Sequence, residues 1–224
     1  MEKRDNKSAY DSGIYDSHII NVLPYYTEYH GQVIDLVKTV GDPSPRWLDT
    51  GCGTGTLALR ALQELPDIRF TLCDPSEKML GEAKAKLQGK NMEFLNISSG
   101  ELAFDQEYDV VTAIQCHHYY NLEEREHALR CCHRALKDSG IFVTFENIRM
   151  STEESDAIML KRWLRFLADH GNSPAEVEMQ RNRRGVEVFP ITVEQHIELL
   201  KKCGFRSVNV LWASYLQAGF WAIK

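Results

Sequence analysis

Trp47-Leu48-Asp49-Thr50-Gly51-Cys52-Gly53-Thr54-Gly55-Thr56 is the stretch whose reading decides the fold. A short apolar run enters a glycine-rich turn, and a helical pattern begins at Thr56. That order reads as a strand, a tight loop and a helix N-terminus. Glycines let the backbone turn sharply and let a ligand approach where a Cβ would clash. The following helix aims its unpaired N–H groups and its positive dipole end at the same place. Such a turn holds a nucleotide or a nucleoside. Spacing separates the two. The dinucleotide fingerprint is G-x-G-x-x-G, whereas here the third glycine comes one residue early and Thr56 stands where the last would be. Asp49, two positions before Gly51, is poorly placed to favour a pyrophosphate and well placed to attract an ammonium or sulfonium group.

The next strand signal, Ile68 to Cys73, ends at Asp74-Pro75-Ser76-Glu77-Lys78-Met79-Leu80. Asp74 falls about 20 residues after the glycine loop, where a carboxylate can accept both hydroxyls of a ribose. The glycine loop resembles the first motif of the class I S-adenosylmethionine (SAM)-dependent methyltransferases, and "DPSEKML" resembles their second. The resemblance is strong over about residues 46–146 and weaker over 192–224. It implies SAM as cofactor and S-adenosylhomocysteine (SAH) as product. Asp49, Gly51, Gly53 and Gly55 would hold the methionine end, Asp74 the ribose, and Pro75, Met79 and Gln115 would complete the cofactor site. Many relatives place an aspartate against the adenine amine after the third strand (here Asn91 to Ile97); this chain has Ser98 there.

Composition bounds the class. The 224 residues are 43% hydrophobic and 26% charged, with a net charge of −6 and a pI near 5.8. That argues against broad phosphate-backbone binding, so nucleic acid is not expected as a partner. No apolar run approaches the ~18 residues of a membrane helix. The charged N-terminus, Met1 to Lys7, has no following apolar core, so no signal peptide is read. Six cysteines without a C-x-x-C pair read as free thiols of a reducing, cytoplasmic setting. Adjacent Cys131 and Cys132 diverge by about 100° on a helix, so no metal is expected. A homodimer is compatible with the composition.

The remaining chain completes an α/β alternation. Residues 1–45 carry Tyr10, Tyr15, Tyr25, Tyr26 and Tyr29, with helical spacing from Tyr26 to Val40 stopped at Gly41-Asp42-Pro43-Ser44-Pro45. Relatives lay such a segment over the SAM site as a lid, and Tyr15 and Tyr26 are its candidate contacts to substrate. Tyr108 to Ile114 reads as a buried parallel strand, followed by Gln115-Cys116-His117-His118-Tyr119-Tyr120. His117, His118 and Tyr119 are the catalytic candidates, because ligands sit beyond the C-terminal strand ends and histidine is a base at neutral pH. Glu123 to Lys137 reads as an amphipathic helix with Glu124, Arg125, Arg130 and Arg134 on its charged side. Ile141 to Phe145 is the fifth strand, with Glu146 and Asn147 at its end. Residues 149–190 interrupt the alternation with two helical runs and then Arg181-Asn182-Arg183-Arg184. This insertion is expected to wall the substrate pocket, with Glu146, Trp163 and Arg184 as contacts. A helix from Val193 to Lys202 and a terminal hairpin joined around Ala213-Ser214 close the chain.

The expectation is one SAM-binding domain over 1–224 with a Rossmann-like three-layer α/β/α sandwich. Its sheet has seven mostly parallel strands and an antiparallel last strand; residues 1–45 form a lid and 149–190 an insertion. The activity expected is methyl transfer from SAM to an O, N or S atom of a small molecule. Two alternatives keep the fold. The segments "YDSGIYDSHIINVLPYYTEY" and "ASYLQAGFWAIK" also look similar to carboxy-SAM synthases, whose carboxylate-holding arginine corresponds, counting back from Gly204-Phe205, to Glu198 here. The other alternative is a non-catalytic SAM-binding regulator. A dehydrogenase would require a glycine at Thr56.

Overall fold

The computed structural model describes residue 5 and residues 7–40 and 44–224. The expected helix stop at Gly41-Asp42-Pro43 lies outside the described residues. Two helices, α1 (Ser12–Ile19) and α2 (Tyr26–Val40), precede the alternating core. That core runs β1 (Arg46–Thr50), α3 (Thr56–Glu64), β2 (Arg69–Cys73), α4 (Glu77–Lys86), β3 (Glu93–Leu95), β4 (Tyr108–Ile114), α5 (Leu122–Ala135) and β5 (Leu136–Asn147). Then come α6 (Glu153–Asp169), α7 (Pro174–Arg183), α8 (Val193–Lys202) and the hairpin of β6 (Arg206–Ser214) and β7 (Gln217–Ile223).

The sheet has the order β3-β2-β1-β4-β5-β7-β6. Strands β1 to β5 pair in parallel, and β7 runs antiparallel to both β5 and β6. The pleat explains why the strands are almost wholly apolar: alternate side chains enter two different cores. Trp47, Phe70, Leu72 and Val110 pack under α2, α3 and α4. Their neighbours Leu48, Cys73 and Val111 pack under α5 and α8. A third cluster, Tyr10, Val22, Trp163, Leu164, Leu167 and Leu216, ties the N-terminal segment to α6 over the β6–β7 turn. These layers form the Rossmann-like sandwich with an antiparallel seventh strand.

Three features differ from expectation: β5 begins at Leu136 rather than Ile141, the hairpin turn is displaced, and Arg125 is buried. The hairpin turns at Tyr215-Leu216 rather than at Ala213-Ser214, with Tyr215 taking the left-handed backbone at φ 52°. Arg125, expected on the charged face of its helix, is only 1% exposed. Its Nε donates to His117 O, and its Nη2 donates to Tyr120 O and Phe189 O. A guanidinium is the side chain that can bind three backbone carbonyls from one position, so this one was placed inside to hold a turn.

Candidate active site

The crossing between β1 and β4 puts the glycine loop and the Gln115–Tyr120 turn side by side at the C-terminal sheet edge, the position where open α/β sheets bind ligands. The three loop glycines all take positive φ, yet they answer two different constraints. A Cβ at Gly51 would lie 2.5 Å from Cys116 Cβ, and one at Gly55 would lie 2.9 Å from Leu87 Cδ1. One at Gly53 would meet nothing within 4 Å. Gly51 and Gly55 therefore serve packing, and Gly53 faces open space.

That space is a cavity of about 440 Å³ lined by Gly51, Gly53, Asp74, Pro75, Met79 and Ser98, with Tyr15, Gln115 and Tyr119 on its far wall. Asp74 Oδ2 accepts from Gly53 N at 2.8 Å and Oδ1 accepts from Ser76 N at 2.9 Å. It thus joins the loop to the N-terminus of α4 besides facing the cavity. Ser98 has its hydroxyl committed: Oγ donates to Glu101 Oε2 at 2.6 Å in a capping box of the short 99–101 turn. Behind the loop, a small annex of about 30 Å³ is lined by Asp49, Tyr26, His30 and Thr54, again with Tyr15 and Gln115. Asp49 is 2% exposed. Burial pushes its carboxyl up to about 7, against a bond accepted from Thr112 Oγ1 and reinforced by the nearby charge of Asp74.

On the other side of Tyr15 and Gln115 lies a chamber of about 50 Å³ lined by His118, Tyr119, Asn147, Trp163, Arg183 and Arg184. His118 is fixed by Glu146. Oε2 of that carboxylate accepts from His118 N at 2.8 Å and lies 2.9 Å from Nδ1, while Oε1 accepts from Thr144 Oγ1 at 2.7 Å and His117 N at 3.3 Å. Burial opposes ionisation of Glu146, but the His118 bond and the neighbouring charges hold its carboxyl at about 2. A carboxylate only accepts, so Nδ1 carries the proton and Nε2 keeps its lone pair. Desolvation lowers the His118 pKa below its usual value against the pull of Glu146, leaving the ring neutral. Asn147 Nδ2 approaches Nε2 at 3.4 Å.

The candidates thus separate. Tyr15, Gln115, His118, Tyr119, Trp163 and Arg184 come together around the chamber; Tyr26 reaches only the annex. Glu146 does not face the chamber as a substrate contact but lies behind His118, 1% exposed. His117 is likewise withdrawn. Its Nε2 pairs with Ser99 Oγ at 2.9 Å, its ring lies between Tyr120 and Phe142, and burial holds its pKa at about 4. Arg184 is taken up by both oxygens of Asp156 at 2.9 and 3.1 Å. Its neighbour Arg183 is 8% exposed and presents its guanidinium to the Tyr119 ring.

Two further features were not legible as site residues. Gln217, at the start of β7, closes a ring of amides with Gln115 and Asn147: Gln115 Nε2 donates to Gln217 Oε1 at 2.7 Å and Gln217 Nε2 donates to Asn147 Oδ1 at 2.9 Å. Only the β5–β7 pairing brings it there. Asp16, on α1, latches the N-terminal segment to the loop. It accepts from Thr54 Oγ1 at 2.6 Å and Thr56 Oγ1 at 3.1 Å, and pairs with Lys86 at 2.6 Å.

Among the described residues no group of three His, Cys, Asp or Glu side chains is placed to hold a metal ion, and no helix is long and apolar enough to cross a membrane. Comparison with known proteins agrees with the fold and the loop. Residues 48–140 match the family described as methyltransferase domain. The chain is 28% identical to a carboxy-S-adenosyl-L-methionine synthase of Nitratiruptor over 100% of its own length and 95% of the relative's. It is 25% identical to one of Nautilia profundicola over 100% and 96%. Magnesium protoporphyrin IX methyltransferase from Synechocystis, solved with bound SAH, shares the fold with a TM-score of 0.65 and 17% identity, over 91% of this chain and 85% of that one. The motif order, the sheet with its antiparallel seventh strand and the match across the glycine loop make the chain similar to the class I SAM-dependent methyltransferases.

Proposed function

We propose that this enzyme binds SAM in the large cavity and transfers its methyl group to a small protic acceptor held in the adjoining chamber, with His118 as general base. The observation that carries this reading is the Glu146-fixed His118, which lines a chamber sharing Tyr15 and Gln115 with the cavity. The cavity's donor set fits the cofactor. Gly53 leaves room for it, Asp74 offers carboxylate oxygens to a ribose, and Met79 and Ile114 give an adenine apolar contact. Asp49, in the annex, offers a carboxylate to the cationic end. SAM supplies an electrophilic methyl on a sulfonium and leaves as SAH.

The residues of the chain then have separate duties. The walls exclude water and set the acceptor beside the methyl, and proximity supplies much of the rate. His118 Nε2 takes the proton that the acceptor O–H, N–H or S–H gives up as its new bond to carbon forms. Glu146 stabilises the resulting imidazolium and keeps the ring oriented. Ser98 is retained only as a wall of the adenosine end, since Glu101 holds its hydroxyl. The test is mass spectrometry of molecules released from the purified, denatured protein, followed by an acceptor screen at saturating SAM. Release of SAM or SAH and a His118→Ala variant that binds SAM normally but transfers slowly support the reading. Equal single-turnover rates for variant and parent overturn the role of His118.

A second reading, carboxy-SAM synthesis, is favoured by the similarity of nearly the whole chain to synthases of that name. Against it, Glu198 is an exposed acid on α8. Copurified carboxy-SAM would decide for it. Micromolar SAM binding without turnover of any acceptor would favour a regulator.

A further inference from the structure

We propose that a second cavity, between the 120–122 turn, Arg149 and the 184–191 loop, binds a small carboxylate that carries an aromatic or branched apolar body. This cavity holds about 450 Å³, within the range that accepts small organic molecules. It shares Tyr120 with the cofactor cavity and Arg184 with the His118 chamber, but contains none of the glycine loop.

Three guanidinium groups line it, those of Arg125, Arg149 and Arg184, against the single carboxylate of Asp156. Arg184 already takes both oxygens of Asp156 through Nη2. Arg125 spends Nε and Nη2 on backbone carbonyls, and its Nη1 is buried with no hydrogen-bond partner. Arg149 is anchored by its backbone, whose N–H donates to Ile191 O at 3.1 Å. Its exposed side chain enters no ion pair among the described residues. The wall therefore carries more cation than anion. A planar guanidinium takes a carboxylate through two parallel hydrogen bonds. Apart from Gly185 and Asn121, whose Oδ1 accepts from Glu124 N at 3.0 Å, the rest of the lining is apolar: Tyr120, Leu122, Phe189, Pro190 and Ile191. Leu122 is 62% exposed and Phe189 37%, so the mouth offers apolar surface beside the charge. A bare inorganic anion would leave that surface unused, and a neutral apolar molecule would leave the arginines unanswered.

The cavity lies against the catalytic turn. Arg125 holds the carbonyls of His117 and Tyr120, and Phe189 N donates to His118 O at 2.7 Å. An occupant contacting Arg125 and Phe189 thus touches the groups that position His118.

Calorimetry with 3-phenylpropionate tests the site, with 3-phenylpropionamide and inorganic phosphate as controls, on the full chain with and without SAM. The carboxylate should bind saturably. The amide and phosphate should each bind at least about tenfold more weakly, and Arg149→Gln should weaken the carboxylate by about five- to tenfold. Arg149→Gln should melt like the parent, because its side chain supports nothing else. His118→Ala should leave the carboxylate's affinity unchanged. Absence of binding up to about 10 mM, equal affinity for acid and amide, or equal affinity for acid and phosphate overturns the proposal. So does indifference to Arg149→Gln. Loss of binding in His118→Ala would move the occupant to the inner chamber and overturn it equally.

Discussion

Replacing Glu146 by glutamine asks the most of the proposed base. The substitution keeps shape and removes charge. The amide can hold its oxygen toward His118, because Thr144 Oγ1 has an alternative acceptor in Ala113 O at 2.7 Å. The amide N–H₂ then opposes His117 N, which loses its acceptor. In the folded chain Glu146 titrates at about 2 instead of the ordinary 4.5. At 1.36 kcal/mol per unit, that difference makes the ionised carboxylate worth about 3 kcal/mol to folding. The folded value is the depressed one, so this stabilisation is complete above pH 4.5 and is lost as pH falls toward 2. Glu146→Gln should therefore cost about 3 kcal/mol near neutrality, which is a melting shift of about 6–12 °C for a chain of this size. The cost should shrink steadily below pH 4.5. The variant's His118 also loses the charge that supports its protonated form. Methyl transfer should slow by about 10²- to 10³-fold, with SAM affinity close to that of the parent. Denaturant unfolding of both proteins across pH and ring ¹⁵N spectra of His118 check the two halves. A cost below about 0.5 kcal/mol would refute the reasoning. So would a cost that stays constant down to pH 3, or a parent His118 protonated at Nε2.

Asp49 titrates at about 7, raised by burial, so it loses its negative charge as pH falls through 7. SAM affinity should weaken below that pH, by up to about tenfold per unit, and Asp49→Asn should be weak and flat; a parent affinity constant from pH 8 to 5.5 by titration calorimetry would remove Asp49 from the cationic end. Gly51→Ala should destabilise the chain by about 2–5 kcal/mol, because φ is +70° and the new Cβ lies 2.5 Å from Cys116 Cβ. Adding Cys116→Gly should return part of that in denaturant melts, and no recovery would place the cost in the backbone alone. Asp16→Asn weakens the latch of α1 onto Thr54, Thr56 and Lys86, so SAM should dissociate several-fold faster in stopped-flow displacement; an unchanged rate would mean that α1 does not gate the cavity.

The glycine loop, the strand signals and both aspartates were legible because they are local. A loop that needs positive φ at three positions must spend glycine there, and a strand covered on two faces must be apolar throughout. What could not be read depends on pairing between distant segments. Gln217 enters the site only because β7 inserts antiparallel against β5, opposite Asn147. Arg125 looked like a surface residue because its helix is otherwise charged, and only the fold shows the three carbonyls that draw it inside. His117 and His118 are adjacent in sequence and equivalent by motif. A short turn sends one ring toward Ser99 and Phe142 and the other to Glu146 and the chamber. Glu146 was legible as a polar residue at the end of β5 but not in its position, since nothing local distinguishes a carboxylate facing a cavity from one facing a histidine.

The cofactor cavity, the His118 chamber and the annex all share Tyr15 and Gln115, and this limits where transfer can occur. Ser8 and Tyr119 also line both the cofactor cavity and the His118 chamber, so a methyl held on the cofactor side reaches the His118 side past these four residues. Gln115 is rigid: it has a left-handed backbone at φ 57° and an amide locked to Gln217. Tyr15 is not built into the sheet. It rides on α1, whose polar attachments to the loop run through Asp16. Burial pushes its phenol well above the usual range, so it stays neutral and adds no charge beside a sulfonium. The same N-terminal segment closes the chamber through Trp163, whose Nε1 donates to Val22 O at 2.9 Å. One N-terminal segment therefore lines the cofactor cavity and the His118 chamber at once. Tyr15→Ala should consequently impair transfer more than SAM binding, because it opens the contact between the two compartments while leaving Asp49, Asp74 and the glycine loop in place. A Tyr15→Ala enzyme with parental single-turnover rates would show that the methyl crosses elsewhere.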